Sequence, residues 1–193
     1  MMLEINPKAK ALIFDLDGTI VDTMPIHFQA WIDVLKEHKI NFTKELFYEF
    51  TGIPTYKIVS HINERLKVNL NPAEIAKKKE DHCMENISKI GIIKPVADIL
   101  YRYHTKMPIS LGTGSTKNVT EVILKKLGLD KYFEIYITAD DVVNHKPAPD
   151  TFLRCAELMG VAPEFCQVFE DGDLGLKAAK SAGMIATDIK PYL

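Results

Sequence analysis

Ala11-Leu12-Ile13-Phe14-Asp15-Leu16-Asp17-Gly18-Thr19 is the stretch on which the fold turns. Four apolar residues run without interruption and stop at acidic and turn residues. Such a run suits a strand buried on both faces, as in a parallel sheet. Three more runs have the same form. Pro108-Ile109-Ser110-Leu111 stops at Gly112-Thr113-Gly114, Ile135-Tyr136-Ile137 at Thr138-Ala139-Asp140-Asp141, and Gln167-Val168-Phe169 at Glu170-Asp171-Gly172. Met184 to Ala186 reads as a further strand.

Helical patterns lie between these runs. Val119, Val122, Ile123, Leu124 and Leu127 share one helical face, and Gly128 stands where a helix-ending glycine belongs. Asp150 is expected to cap a helix carrying Phe152, Leu153, Ala156 and Met159, ended by Gly160. Leu176, Ala178 and Ala179 mark another, ended by Gly183. Strand and helix thus alternate from about Lys94 onward, which predicts an α/β fold with right-handed crossovers.

Ile20 to Gly91 reads differently, as amphipathic helices with no convincing strand. Ile26, Trp31, Val34 and Leu35 form one apolar face, and Ile58, Val59, Ile62 and Leu66 another. Asn71-Pro72-Ala73-Glu74 combines a cap, a first-turn proline and a glutamate three residues on. A small helical unit, residues 21–91, is therefore expected to interrupt a parallel-sheet core of residues 1–20 and 92–193. The chain crosses between them twice, so a hinge is expected there.

Bulk properties narrow the function classes. The 193 residues are 47% hydrophobic, with 24 Lys+Arg against 26 Asp+Glu. That balance lacks the basic excess of a nucleic-acid or membrane-surface binder. No apolar run approaches the ~20 residues of a membrane span, and Met1 to Lys10 holds no signal-like apolar stretch. A cytoplasmic protein with no obligate protein partner is expected. Cys83, Cys155 and Cys166 form no C-x-x-C pair and read as reduced thiols.

In an open parallel sheet, ligands bind at the carboxyl ends of strands. Asp15 and Asp17, Thr113 with Gly114 and Ser115, Asp140 and Asp141 ahead of Lys146, and Glu170 and Asp171 are all expected there. Two carboxylates two residues apart need a cation or a shared proton to coexist, and an acidic pair adds to their negative charge. Mg2+ suits an all-oxygen set and binds substrate phosphate. A calcium loop is excluded: its sixth and twelfth places hold Ile20 and Ile26. Lys146 can offset further negative charge, and Thr113 with the amides near Gly114 and Ser115 suits a phosphate oxygen. A carboxylate nucleophile, metal, hydroxyl and lysine together fit phosphoryl transfer through an aspartyl-phosphate. Asp17 then serves as acid and base.

Asp15-Leu16-Asp17-Gly18-Thr19, Thr113, Lys146 and Glu170-Asp171 resemble, in order, the four motifs of the haloacid dehalogenase superfamily. The resemblance implies a Rossmann-like core, with the all-helical insert after the first strand as a cap. It also implies Asp15 as nucleophile and metal ligand, and Asp17 as acid/base and ligand through its backbone carbonyl. Thr113 and Lys146 would hold the phosphoryl group, while Asp171 and Glu170 would complete the metal site. Gly52-Ile53-Pro54-Thr55 and His145-Lys146-Pro147-Ala148-Pro149-Asp150 are similar to the β-phosphoglucomutase-like group, particularly its bacterial phosphatases for fructose 1-phosphate and 6-phosphogluconate. By the same resemblance His27, Gly52 and Lys79 join Thr55 on the substrate side. The mutase carries an arginine where Thr55 stands, for the substrate's second phosphate. A threonine does not replace that bidentate charge, so a monophosphatase for small phosphorylated sugars is expected. Mutase action and a catalytically silent binding role are the alternatives.

Overall fold

The structure is a computed structural model, and it describes residues 3–50 and 53–193. Five parallel strands form the sheet: β1 (Ala11–Phe14), β4 (Ile109–Gly112), β5 (Ile135–Ile137), β6 (Cys166–Glu170) and β7 (Ile185–Asp188). Their order is β5-β4-β1-β6-β7. β1 lies at the centre, pairing Leu12 with Ile109 on one side and Gln167 on the other.

Every residue of β1 is buried, because alternate side chains enter different cores. Leu12 and Phe14 pack with Val96, Ile99 and Leu100 of α5 (Lys94–Tyr103) and with Val119 and Ile123 of α6 (Lys117–Leu127). Ala11 and Ile13 face Phe152 and Cys155 of α7 (Asp150–Met159) and Ala178 and Ala179 of α8 (Asp173–Ser181). An uninterrupted apolar strand is what two helical layers require. Gly128 and Gly160 end their helices in the left-handed region. Asp150 is the first residue of α7 rather than its cap, which is Pro149.

Four further helices follow β1: α1 (Met24–Lys36), α2 (Lys44–Glu49), α3 (Thr55–Leu66) and α4 (Pro72–Glu85). They bury a cluster of their own, including Trp31, Leu35, Phe42, Val59, Ile62 and Ile75. Asn71 caps α4, its Oδ1 accepting from the Ala73 and Glu74 amides. Leu66 is the exception on the α3 face, lying exposed beside the αL residue Lys67 that ends the helix.

One expectation fails here: the stretch from Ile20 to Gly91 is not free of strand. β2 (Val21–Asp22) pairs antiparallel with β3 (Gly91–Ile92). Two residues are too short to show an alternating pattern, and the pairing partners stand far apart in sequence. This ribbon brings both chain crossings side by side. Among the described residues, no helix is long and apolar enough to cross a membrane.

Candidate active site

Sequence order changes direction at β1, so its carboxyl end opens a crevice between β4 and β6. Asp15 follows β1 directly and is buried. Lys146 reaches it from the loop before α7, at 3% exposure. Its Nζ donates to Asp15 Oδ1 at 2.7 Å, to Glu170 Oε2 at 2.7 Å and to the Gly112 carbonyl at 3.2 Å. Glu170 ends β6, and its other oxygen accepts from the Gly172 amide at 2.9 Å. Asp171 Oδ1 accepts from the Thr19 hydroxyl at 2.8 Å.

Oxygens of Asp15, Glu170 and Asp171 lie within 4.8 Å of one another. One lysine facing three carboxylates leaves negative charge unmet. Burial and then the Glu170 charge push Asp15 up to about 7, despite the pull of Lys146. Burial and then the Asp15 charge push Asp171 up to about 7. Burial also raises Glu170, against Lys146. An all-oxygen set with excess negative charge fits a hard divalent cation. Two glycines make room for it. Gly18 holds φ +85°, and a Cβ there would strike Asp171. A Cβ on Gly175 would strike Glu170.

Asp17 is placed differently from that trio. Its Oδ2 accepts from Ser115 Oγ at 2.6 Å, and its Oδ1 from Thr23 Oγ1 at 2.7 Å and from His27 Nε2 at 3.2 Å. Burial works to raise this carboxyl, but His27, Ser115 and Thr23 together hold it well below the usual range. His27 in turn meets Lys79 Nζ at 2.5 Å and the Cys83 thiol at 3.4 Å, both on Nδ1. Burial and Lys79 push the imidazole down, while Asp17 and Cys83 pull harder and leave it raised. Lys79 is buried, with its ammonium 5.9 Å from the centre of the Trp31 ring.

Asp15, Asp17, His27, Thr55, Lys79 and Thr113 all border one cavity of about 80 Å³, room for a few waters. Gly114, Ser115 and Glu170 border it too. Thr113 is buried and its Oγ1 accepts from the Ser115 amide at 3.0 Å. Asp171 instead faces a second cavity with Gly18 and Asp173. Gly52 lies outside the described residues. Asp140 and Asp141 do not join the cluster. Asp140 accepts from the Lys117 amide at the start of α6, and Asp141 closes a turn onto Thr138. Three side chains on which the cluster leans were not singled out from sequence: Thr23, Cys83 and, as a partner of Asp171, Thr19. A threonine ahead of Pro25 looks like any helix cap, and only the helix phase turns it to Asp17.

The sequence profile of the haloacid dehalogenase-like hydrolases matches residues 12–188. The chain belongs to that family. This hydrolase is 41% identical over 179 residues to the fructose-1-phosphate phosphatase YqaB of Escherichia coli, covering 93% of this chain and 95% of that one. It is 29% identical over 188 residues to β-phosphoglucomutase of Bacillus subtilis, covering 93% and 83%. In solved structures its fold matches β-phosphoglucomutase of Clostridium difficile with a TM-score of 0.84 at 26% identity, over 93% of this chain and 84% of that one.

Proposed function

We propose that this hydrolase is a Mg2+-dependent phosphatase for small sugar phosphates that works through an aspartyl-phosphate on Asp15. The observation that carries this reading is the Asp15 carboxylate, tied to Lys146 beside two further carboxylates and bordering a cavity shared with Asp17 and Thr113. Residues 1–20 and 92–193 serve as the catalytic core and residues 21–91 as its cap. A hexose phosphate needs more room than the cavity offers, so the cap must open to admit it. The 41% identity to a fructose-1-phosphate phosphatase supports the substrate class.

Asp15, Glu170, Asp171 and the Asp17 backbone carbonyl would hold Mg2+, which neutralises carboxylate and phosphoryl charge when bound. Lys146, the Thr113 hydroxyl and the amides of Gly114 and Ser115 grip the phosphoryl oxygens. An Asp15 oxygen bonds to phosphorus as the ester oxygen leaves with a proton from Asp17. Asp17 then takes a proton from the water that cleaves the aspartyl-phosphate. In the described arrangement Asp17 is ionised, as the second step needs. The first step needs that carboxyl protonated, and the His27 imidazole, raised and 3.2 Å from Asp17 Oδ1, is the group placed to lend the proton and to take it back after the second. His27 and Lys79 orient Asp17, and Thr55 faces the sugar. The protein acts in the cytoplasm on a free small molecule.

The test is phosphate release, with Mg2+ and with EDTA, from fructose 1-phosphate, 6-phosphogluconate and β-glucose 1-phosphate. Metal-dependent release from either of the first two supports the reading. Conversion of β-glucose 1-phosphate to glucose 6-phosphate with little free phosphate makes the enzyme a mutase instead.

A further inference from the structure

The helical part meets the sheet part at more than one place. Near the chain crossings, Thr23 and His27 reach Asp17. Elsewhere, Tyr56 near the start of α3 sets its hydroxyl 3.2 Å from His145 Nε2. The two rings stand edge to face, with centroids 6.4 Å apart at 84°. Neither residue takes part in the phosphoryl chemistry. Their neighbours do. Tyr56 follows Thr55, which borders the central cavity, and His145 precedes Lys146, which holds Asp15. The contact therefore joins the substrate-facing end of α3 to the loop of the buried lysine. Beside it lies a small second gap, bordered by Thr55, Tyr56, Ser115 and Thr116.

Tyr56 is 45% exposed, so burial does not fix its ring in place. The hydrogen bond and the ring contact do. Burial and then the Lys57 charge hold the His145 imidazole below its ordinary value, against the pull of Asp150 and Asp140. The ring is then neutral at neutral pH, and a ring nitrogen is free to accept from the tyrosine hydroxyl.

We propose that Tyr56 and His145 are positioning residues that clasp the helical part over the phosphoryl site and set how often that site opens to bulk water. The inference rests on reading residues 21–91 as a moving cap. Its test does not need turnover. Amide hydrogen exchange at Ser115 and Thr116, which border that gap, tracks the fraction of molecules that are open. One half-exposed hydrogen bond is worth about a three- to tenfold change in that fraction. Tyr56→Phe and His145→Ala are each expected to speed this exchange by about that factor. The double variant should go no faster than the faster single one, since either change breaks the same contact. Amides of β1 and β6 should keep their unaltered rates, which a general loss of stability would not allow. Unchanged exchange at Ser115 and Thr116 would overturn the clasp, as would a double variant showing the product of the two single effects. Phosphate release by the unaltered enzyme reads the phosphatase assignment separately, so either can fail alone.

Discussion

Replacing Lys146 by methionine removes the cation paired with two buried carboxylates, Asp15 and Glu170, beside the half-buried Asp171, while keeping the stem that packs near Phe152, whose ring centre is 4.7 Å from the ammonium. Asp15 and Glu170 each lose a 2.7 Å charge-assisted hydrogen bond and stay buried. Deleting one partner of such a pair typically costs about 3–5 kcal/mol. That is a large share of the roughly 5–15 kcal/mol that holds a domain of this kind together. The sign of the pH dependence follows from the carboxylates. Asp15 and Asp171 are raised from 3.8 to about 7 in the folded metal-free protein, so across that window the native state holds more protons than the unfolded chain. Stability contributed by these groups is thus greatest at low pH and falls as pH rises through about 7. Taking away Lys146 removes the main influence opposing the rise of Asp15 and, after the Thr19 hydrogen bond, the next one opposing that of Asp171. The deficit of Lys146→Met should therefore be widest near pH 8 and narrow toward about pH 5, where the carboxylates carry protons. Millimolar Mg2+ should recover part of it by restoring positive charge at the same place. Urea unfolding in EDTA and in Mg2+, followed by the Trp31 fluorescence, measures all of this. A deficit below about 1 kcal/mol at pH 8, or one equally large at pH 5, would refute the argument that Lys146 is held by unmet carboxylate charge.

Asp15→Asn should keep the fold and abolish turnover; steady-state phosphate release above about a tenth of the unaltered rate would remove the nucleophile assignment. Asp17→Asn should permit slow phosphorylation of Asp15 and stall there, so rapid quench with a labelled substrate should trap a phosphoenzyme, and normal steady-state rates would contradict the acid/base role. Gly175→Ala places a methyl group against Glu170 and should weaken Mg2+ binding about tenfold or more, since displacing a supporting carboxylate typically costs that much; titration calorimetry showing unaltered affinity would count against Glu170 at the metal. Thr55→Arg places a bidentate cation at the border of the central cavity and should tighten inhibition by glucose 1,6-bisphosphate, while unchanged inhibition would mean that Thr55 does not face the far end of the substrate.

The strand ends were legible because their signals are local. An apolar run and the polar residues that stop it sit within nine residues of each other, and the parallel sheet gathers all such ends on one edge. Asp15, Thr113, Lys146 and Glu170 converge for that reason. Asp140 and Asp141 carry the same local signature but spend their oxygens on capping α6 and closing a turn, which a sequence window cannot distinguish from ligand duty. Thr23 and Cys83 depend on the rotational phase and packing of α1 against α4, set by distant contacts among Trp31, Ile75 and their neighbours. The β2–β3 ribbon escaped notice because a two-residue strand has no period, and because Val21 and Ile92 meet only after the helices between them have folded back.

That ribbon has an evolutionary consequence. None of the pairings within the five-stranded sheet involves a residue between Asp22 and Gly91. The two ends of the helical segment leave the sheet side by side, so its covalent connection to the sheet part is confined to one place. Its length, sequence and inner surface can drift, be recombined or be swapped for another module while the carboxylates at the strand ends keep their register. Selection for a new substrate can thus act on one stretch of the gene while the phosphoryl-transfer chemistry is inherited unchanged.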